Sequence, residues 1–236
     1  MTKTPGKIVL LTGAGISAES GLGTYRGPGG LWNNKRIAAM ATPEGFANDP
    51  DGMQEFHNAR RLRHLEAEPN AAHEAIARLQ AEHSGSVVLI TQNVDRLHER
   101  AGSEGVLHMH GVSDDMLCQA CGERHRQAFE VPWNWRTPCP ACGDGPLRPD
   151  TVWFGEMPYH LQEIDRHLRS ADLFVAIGTS GNVYPAAGFV QTATAYGADS
   201  LEINLDASEV SSAFARVLRG KASEVVPGWV DEVLAG

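Results

Sequence analysis

The chain has 236 residues, 42% of them apolar and 21% charged, and its 20 Lys and Arg against 29 Asp and Glu give a formal charge of −9. This composition supports one large domain, or a domain with a small insert, around a real core, and excludes a disordered or collagen-like chain. The acidic balance argues against direct nucleic-acid or membrane binding. No signal-like apolar segment precedes the first strand, and the longest apolar runs, at 8–11 and 173–177, are far too short to cross a bilayer. The expectation is a soluble, cytoplasmic monomer.

In chain order, apolar β-prone runs at 7–12, 87–91, 106–109, 173–178 and 200–204 alternate with helical patterns. The runs are continuous, as in strands buried on both faces of a parallel sheet. Residues 71–82 place Ala72, Ile76 and Leu79 on one helix face, and 160–169 do the same with Leu161, Ile164 and Leu168. Residues 51–66, read as a helix, put His57 and Arg60 on a common face. This alternation predicts a doubly wound α/β sheet. Residues 24–69 and 112–149 interrupt it. The expected division is therefore a discontinuous large domain (1–23, 70–111 and 150–236), a helical insert with a loop (24–69), and a cysteine-bearing insert (112–149).

Four cysteines, Cys118, Cys121, Cys139 and Cys142, form two Cys-x-x-Cys pairs separated by 17 residues. That spacing is that of a zinc ribbon, and four thiolates fill a tetrahedral zinc site and leave no position for water. A structural zinc ion is expected, with no catalytic role. The first strand runs into Thr12-Gly13-Ala14-Gly15-Ile16-Ser17, a glycine turn whose N–H groups can approach a phosphate at the start of a helix. Its spacing, G-x-G-x5-G, is not that of the usual dinucleotide fingerprint, and no acidic residue follows the second strand in the ribose-binding place. Other polar clusters sit mostly where strands give way to loops: Gln92-Asn93-Val94-Asp95, His108-Met109-His110-Gly111, Val152-Trp153-Phe154-Gly155-Glu156, Gly178-Thr179-Ser180, and Asn204. In an open α/β sheet such ends converge on one crevice.

With these motifs in this order, from Gly13 to Ala222, the chain resembles the sirtuins, the NAD-dependent protein lysine deacylases. Glu19-Ser20-Gly21 and Ala41-Thr42-Pro43 resemble the branch of bacterial deacylases and desuccinylases (class III). The resemblance implies a Rossmann-type domain and a small domain made of a zinc-ribbon insert and a helical insert. It also implies that the acyl group of acyl-lysine, acetyl and also succinyl or malonyl, passes to ADP-ribose with release of nicotinamide. By matching position, Gly13, Ala14, Gly15 and Ser17 would line the pyrophosphate, with Tyr25 and Arg26 over the nicotinamide ribose. Glu19, Thr24 and Trp32 join the NAD-binding set. Gln92, Asn93 and Asp95 would hold the ribose and the nicotinamide amide, and Gly178, Thr179, Ser180, Asn204 and Ala222 the adenosine end. His110 and Asn93 are the catalytic candidates; His110 matches the base, and imidazole titrates in the useful range. His108 lacks a match and reads as structural. Val152, Trp153, Phe154 and Gly155 would lie along the substrate peptide and pair with its backbone.

Three positions depart from the branch. Gly23 stands where proline is usual, and Gly181-Asn182 where apolar residues are. The acyl-reading Tyr-x-x-Arg pair is here His57-Asn58-Ala59-Arg60. Arg60 keeps a cation able to pair with a distal carboxylate, while a protonated His57 would add to that pull below neutral pH. Competing readings are protein mono-ADP-ribosyl transfer, a zinc-ribbon binding module, and a redox dehydrogenase. The acidic residues around the cysteines and the missing ribose carboxylate disfavour the last two.

Overall fold

The computed structural model describes residues 4–25, 30–126 and 132–236, without the side chains of Trp32 and Arg36. Nine strands are present among the described residues: β1 (Lys7–Thr12), β2 (Ser86–Thr91), β3 (Leu107–His108), β4 (Gly111–Cys118), β5 (Arg124–Arg126), β6 (Leu147–Thr151), β7 (Leu173–Ile177), β8 (Asp199–Asn204) and β9 (Arg216–Arg219). The helices that position the site are α1 (Ala14–Ser17), α2 (Lys35–Met40), α3 (Pro43–Asn48), α4 (Pro50–Glu66), α5 (Ala71–Glu82), α6 (Leu97–Arg100), α7 (Leu161–Arg169), α8 (Phe189–Ala195) and α9 (Ala222–Ala235).

Six parallel strands pair in the order β3-β2-β1-β7-β8-β9. Successive side chains of a strand point to opposite faces, so the continuous apolar runs feed two cores. Ile8, Leu10, Val175, Ile177, Leu201 and Ile203 meet Ile76 and Leu79 of α5 and Val226, Trp229 and Val230 of α9. Val9, Leu11, Phe174 and Ala176 meet Ile164 and Leu168 of α7 and Phe189 and Val190 of α8 on the other face. This is the doubly wound α/β sheet expected. Chain order reverses between β1 and β7, so a crevice opens at the carboxyl ends of those two strands.

The third expected strand shortens to Leu107–His108, and the others shift by a residue or less. Several elements, β9 and α9 among them, have no clear sequence signal. Strand β9 is a four-residue edge strand with mostly exposed side chains. Helix α9 contains Pro227 followed by Gly228, and burial of Val226, Trp229 and Val230 outweighs those breakers.

The second sheet, β5-β4-β6, is antiparallel. Its core of Met116, Cys118, Leu147, Trp133 and Trp153 is shared with Phe46 of α3 and Met53 of α4. Asn58 clamps the junction: its amide donates to the Trp133 carbonyl at 2.8 Å and accepts from the Trp133 N–H at 2.7 Å. The two interruptions of the α/β pattern thus pack into one small domain. Arg96, beside α6 of the large domain, grips it through two-pronged hydrogen bonds to Asp114 and Asp115 on β4, at 2.9–3.1 Å.

Candidate active site and metal centre

The crevice is built by backbone contact. Gly13 N–H donates to the Ile177 carbonyl at 3.0 Å, and Gly15 N–H to the Gly178 carbonyl at 2.9 Å. A Cβ on Gly15 would lie 2.7 Å from Gly178 Cα, and one on Gly178, whose φ is +63°, would lie 2.5 Å from Ile16 N. The glycines let the turn after β1 touch the end of β7, so their first role is to close this joint.

Behind the turn lies a buried polar belt. Asn93 donates its amide to the Gly13 carbonyl at 3.1 Å and to Ser17 Oγ at 3.2 Å. Ser17 Oγ in turn donates to Asp95 Oδ2 at 3.3 Å. Burial raises the Asp95 carboxyl above the usual range despite hydrogen bonds from Leu97 N–H and Ser17. Thr12, Thr91 and His98 are hydrogen-bonded one layer deeper, and the His73 ring lies 4.9 Å from that of His98. Burial drives His98 far below its ordinary value and His73 to about 4, so both are neutral supports. Sequence reading missed this second layer. The only hint was Asn70-x-x-His73, a capping box at the start of α5 in which His73 Nδ1 accepts the Asn70 N–H.

His110 and His108 leave β3 with different fates. His108 hydrogen-bonds the Asn93 carbonyl at 3.0 Å and Glu99 at 2.8 Å with its two ring nitrogens. Burial alone would lower it, but Glu99 and the Asn93 carbonyl raise it above its ordinary value, and both ring nitrogens are tied to the scaffold. His110 Nδ1 lies 3.0 Å from the Gln92 carbonyl, which selects the Nδ1–H tautomer and leaves the Nε2 lone pair as an acceptor. Burial lowers His110, the Gln92 carbonyl offsetting this in part, so the neutral imidazole dominates near pH 7. Gly111 follows at φ +77°, where a Cβ would overlap the Asp150 carbonyl; the glycine is required by the close pass of β4 over β6.

At the adenosine end inferred from sequence, Gly178, Thr179 and Ser180 face Asn204, whose amide donates to the Thr179 carbonyl at 2.6 Å. Glu19 accepts the Ser223 N–H at 3.0 Å and so covers the first turn of α9, where Ala222 is buried. Ala14 heads the short helix α1. Thr24 and Tyr25 start the loop after it, the Thr24 carbonyl accepting Leu31 N–H at 3.1 Å. Arg26 lies outside the described residues, as does the Trp32 side chain.

The α4 pair is placed as the helix period predicts. Arg60 Nη2 donates to Tyr25 Oη at 2.7 Å, with the guanidinium 4.9 Å from the Tyr25 ring centroid. His57 is 7% exposed, edge-on to Trp133, and its Nε2 has no hydrogen-bond partner among the described residues. Burial, with Arg60, His64 and Arg148 nearby, lowers His57 to about 3. The expectation of a protonated His57 is therefore corrected: it is a neutral group at any working pH. On the same helix, His64 hydrogen-bonds Ser113 at 2.7 Å and joins Asp95, Arg100 and Ser113 around a cavity of about 280 Å³.

The segment read as substrate-facing is half inward. Trp153 is 4% exposed in the small-domain core, stacked under Arg148 at 3.9 Å, whereas Phe154 is 43% exposed. The N–H groups of Val152, Trp153 and Phe154 already donate to the His110 carbonyl, Glu156 Oε2 and the Ala41 carbonyl. A peptide pairing with this segment must use its carbonyls or Gly155.

The four cysteine sulfurs lie within 4.8 Å of one another, with Cys118–Cys142 and Cys121–Cys139 both at 3.8 Å. A tetrahedron with ~2.3 Å zinc–sulfur bonds has edges of about 3.8 Å, so the donor set fits zinc and positions a structural ion. The Cys121 N–H lowers the Cys118 thiol, while the neighbouring thiols raise Cys121 and Cys142, so loss of the remaining protons is linked to metal binding.

The family model described as "Sir2 family" matches residues 13–185. An NAD-dependent protein deacylase of Vibrio parahaemolyticus is 53% identical over 97% of this chain and 95% of its own length. The deacylase SIR2rp3 of Trypanosoma brucei brucei is 50% identical over 100% and 98%. A Sir2 homologue solved with ADP-ribose superposes with a TM-score of 0.90 at 39% identity, over 97% of this chain and 92% of that one. A Sir2 protein bound to acetylated peptide gives 0.81 at 26%, over 97% and 93%.

Proposed function

Because the chain belongs to the Sir2 family, we propose that it is an NAD-dependent protein lysine deacylase that moves the acyl group of acyl-lysine onto ADP-ribose. The observation that carries this reading is the convergence of the Gly13–Gly178 joint, the Asn93–Ser17–Asp95 chain and His110 on one crevice. The joint is bare backbone with one buried carboxylate behind it, an arrangement that supports a nucleotide lying against the turn. NAD supplies an electrophilic ribose carbon and a neutral leaving group, nicotinamide.

The chain's own groups do the rest. Asn93 and Ser17 hold the turn that would carry the pyrophosphate. Asp95 offers an oxygen toward the nicotinamide amide. His110 Nε2 accepts the proton of a ribose hydroxyl, and the Gln92 carbonyl stabilises the charge that arrives on the ring. Asn93 keeps a positioning role through its two hydrogen bonds. Tyr25 and Arg60 close the acyl side, where Arg60 is the cation available to a distal carboxylate of succinyl- or malonyl-lysine, with neutral His57 beside it. The division into domains at 1–23, 70–111 and 150–236 against 24–69 and 112–149 accompanies this reading, the two inserts forming one wall of the cleft. The four cysteines would hold zinc as a staple of that wall.

The test is incubation with NAD and acetyl-, succinyl- and malonyl-lysine peptides. Nicotinamide released only when peptide is present, with free lysine formed, supports the reading. NADH formation, ADP-ribose attached to protein, or no nicotinamide release refutes it.

A further inference from the structure

Glu202 is 0% exposed in β8, between the core residues Leu201 and Ile203 but on the opposite face of the sheet. A buried carboxylate without partners would be strongly unfavourable. Here the crossover after β8 supplies them. Oε1 accepts the Ser208 hydroxyl; Oε2 accepts the Ser211 hydroxyl at 2.6 Å and Arg219 Nη1, from β9, at 2.6 Å. Arg219 also donates to the Asp206 carbonyl at 3.1 Å and to Ser211 Oγ at 2.6 Å. Leu205, Asp206 and Ala207 are exposed, so apolar burial does not hold the start of this loop.

The clamped loop forms part of the crevice. Glu209 N–H donates to the Ser180 carbonyl at 3.1 Å, and Asn204, at the end of β8, donates to the Thr179 carbonyl. A Cβ on Gly181, at φ +72°, would lie 2.9 Å from Val210 Cγ2 and 3.0 Å from Val210 N. The glycine that departs from the branch pattern is the one that lets the loop seat this closely.

We propose that Glu202, with Ser211 and Arg219, is a positioning residue for the nucleotide: its carboxylate holds the 205–211 loop against the 179–181 turn and keeps the adenosine end of the crevice formed before NAD binds. This rests on the deacylase reading for what occupies the crevice. Holding a loop in its bound arrangement removes an ordering cost from binding. Its signature is weaker affinity with unchanged chemistry.

The experiment compares the full-length protein with Glu202→Gln, measuring Kd for NAD and for ADP-ribose by calorimetry, and kcat and KM on an acetyl peptide. Both Kd values and the KM for NAD should rise by about tenfold, a typical size for coupled groups in one network. At saturating NAD, kcat should be retained, and inhibition by free nicotinamide, which lacks the adenosine, should not change. Should Glu202→Gln fail to fold, Ser211→Ala and Arg219→Met at the rim of the network give the same pattern at smaller size. An unchanged Kd in a folded variant, or a fall in kcat at unchanged Kd, overturns the clamp. Failure of the unaltered chain to bind NAD or ADP-ribose overturns the deacylase reading itself, and the clamp with it.

Discussion

Gly178→Ala tests the joint on which the whole crevice depends. The added methyl carbon would sit 2.5 Å from Ile16 N, 2.7 Å from Gly15 C and 2.8 Å from Gly15 Cα, all of them backbone atoms that cannot rotate away. An alanine at φ +63° adds a cost of roughly 1–2 kcal/mol before any clash. Reaching ordinary contact requires the β1 turn and the β7 end to part by about 1 Å, and a misplacement of that size can cost ~10²-fold in rate. The Gly15–Gly178 hydrogen bond at 2.9 Å would break with it. Gly23→Ala is the matched control: nothing lies within 4 Å of its Cβ position. Thermal unfolding and NAD affinity of the two variants measure the effect. Gly178→Ala should lower the melting temperature by several degrees and bind NAD at least tenfold more weakly, while Gly23→Ala keeps both. Wild-type stability and affinity in Gly178→Ala would show that the contact is not a constraint.

His110→Ala should leave the melting curve and most NAD affinity intact and lower turnover by ~10²–10⁴, the usual loss for a positioned base. Because burial depresses His110, the acid limb of the kcat/KM profile should fall below ~6.5; a limb above that value would contradict the geometry. Zinc measurement should find one ion per chain, and its chelation should unfold the small domain and release zinc and activity together. Arg60→Met should reduce succinyl turnover far more than acetyl turnover, since only the former leaves a charge unpaired. With His57 at about 3, the succinyl-to-acetyl ratio should stay flat from about pH 6 to 8. His57 and His64, held at about 3, and His73, at about 4, are neutral when folded but titrate near ~6.5 when unfolded. Unfolding therefore takes up protons at these three sites, and their contribution to stability should be full above ~6.5 and fall toward pH ~4, by up to about 1.4 kcal/mol per pH unit for each histidine. A denaturant midpoint independent of pH over that window would refute the neutral assignments.

What the sequence by itself determined is what local pattern encodes. Continuous apolar runs dictated a parallel sheet buried on both faces, the 3.6-residue periods dictated α5 and α7, and the spacing of four cysteines dictated the zinc-type cluster. The order of motifs was enough to mark the crevice residues and the family resemblance. Tertiary structure decided everything that depends on groups distant in the chain. It assigned Gly15 and Gly178 to one backbone contact, His108 to Glu99 while leaving His110 Nε2 available, and Trp153 to a core shared with Phe46. It also neutralised His57: pattern placed this residue beside Arg60, but only packing against Trp133 removed the water that a charged imidazole needs. Helix α9 and the Glu202 network were illegible for the same reason. Pro227 and a charge inside a strand both look like local errors, and they are tolerated because partners far along the chain supply the burial and the hydrogen bonds.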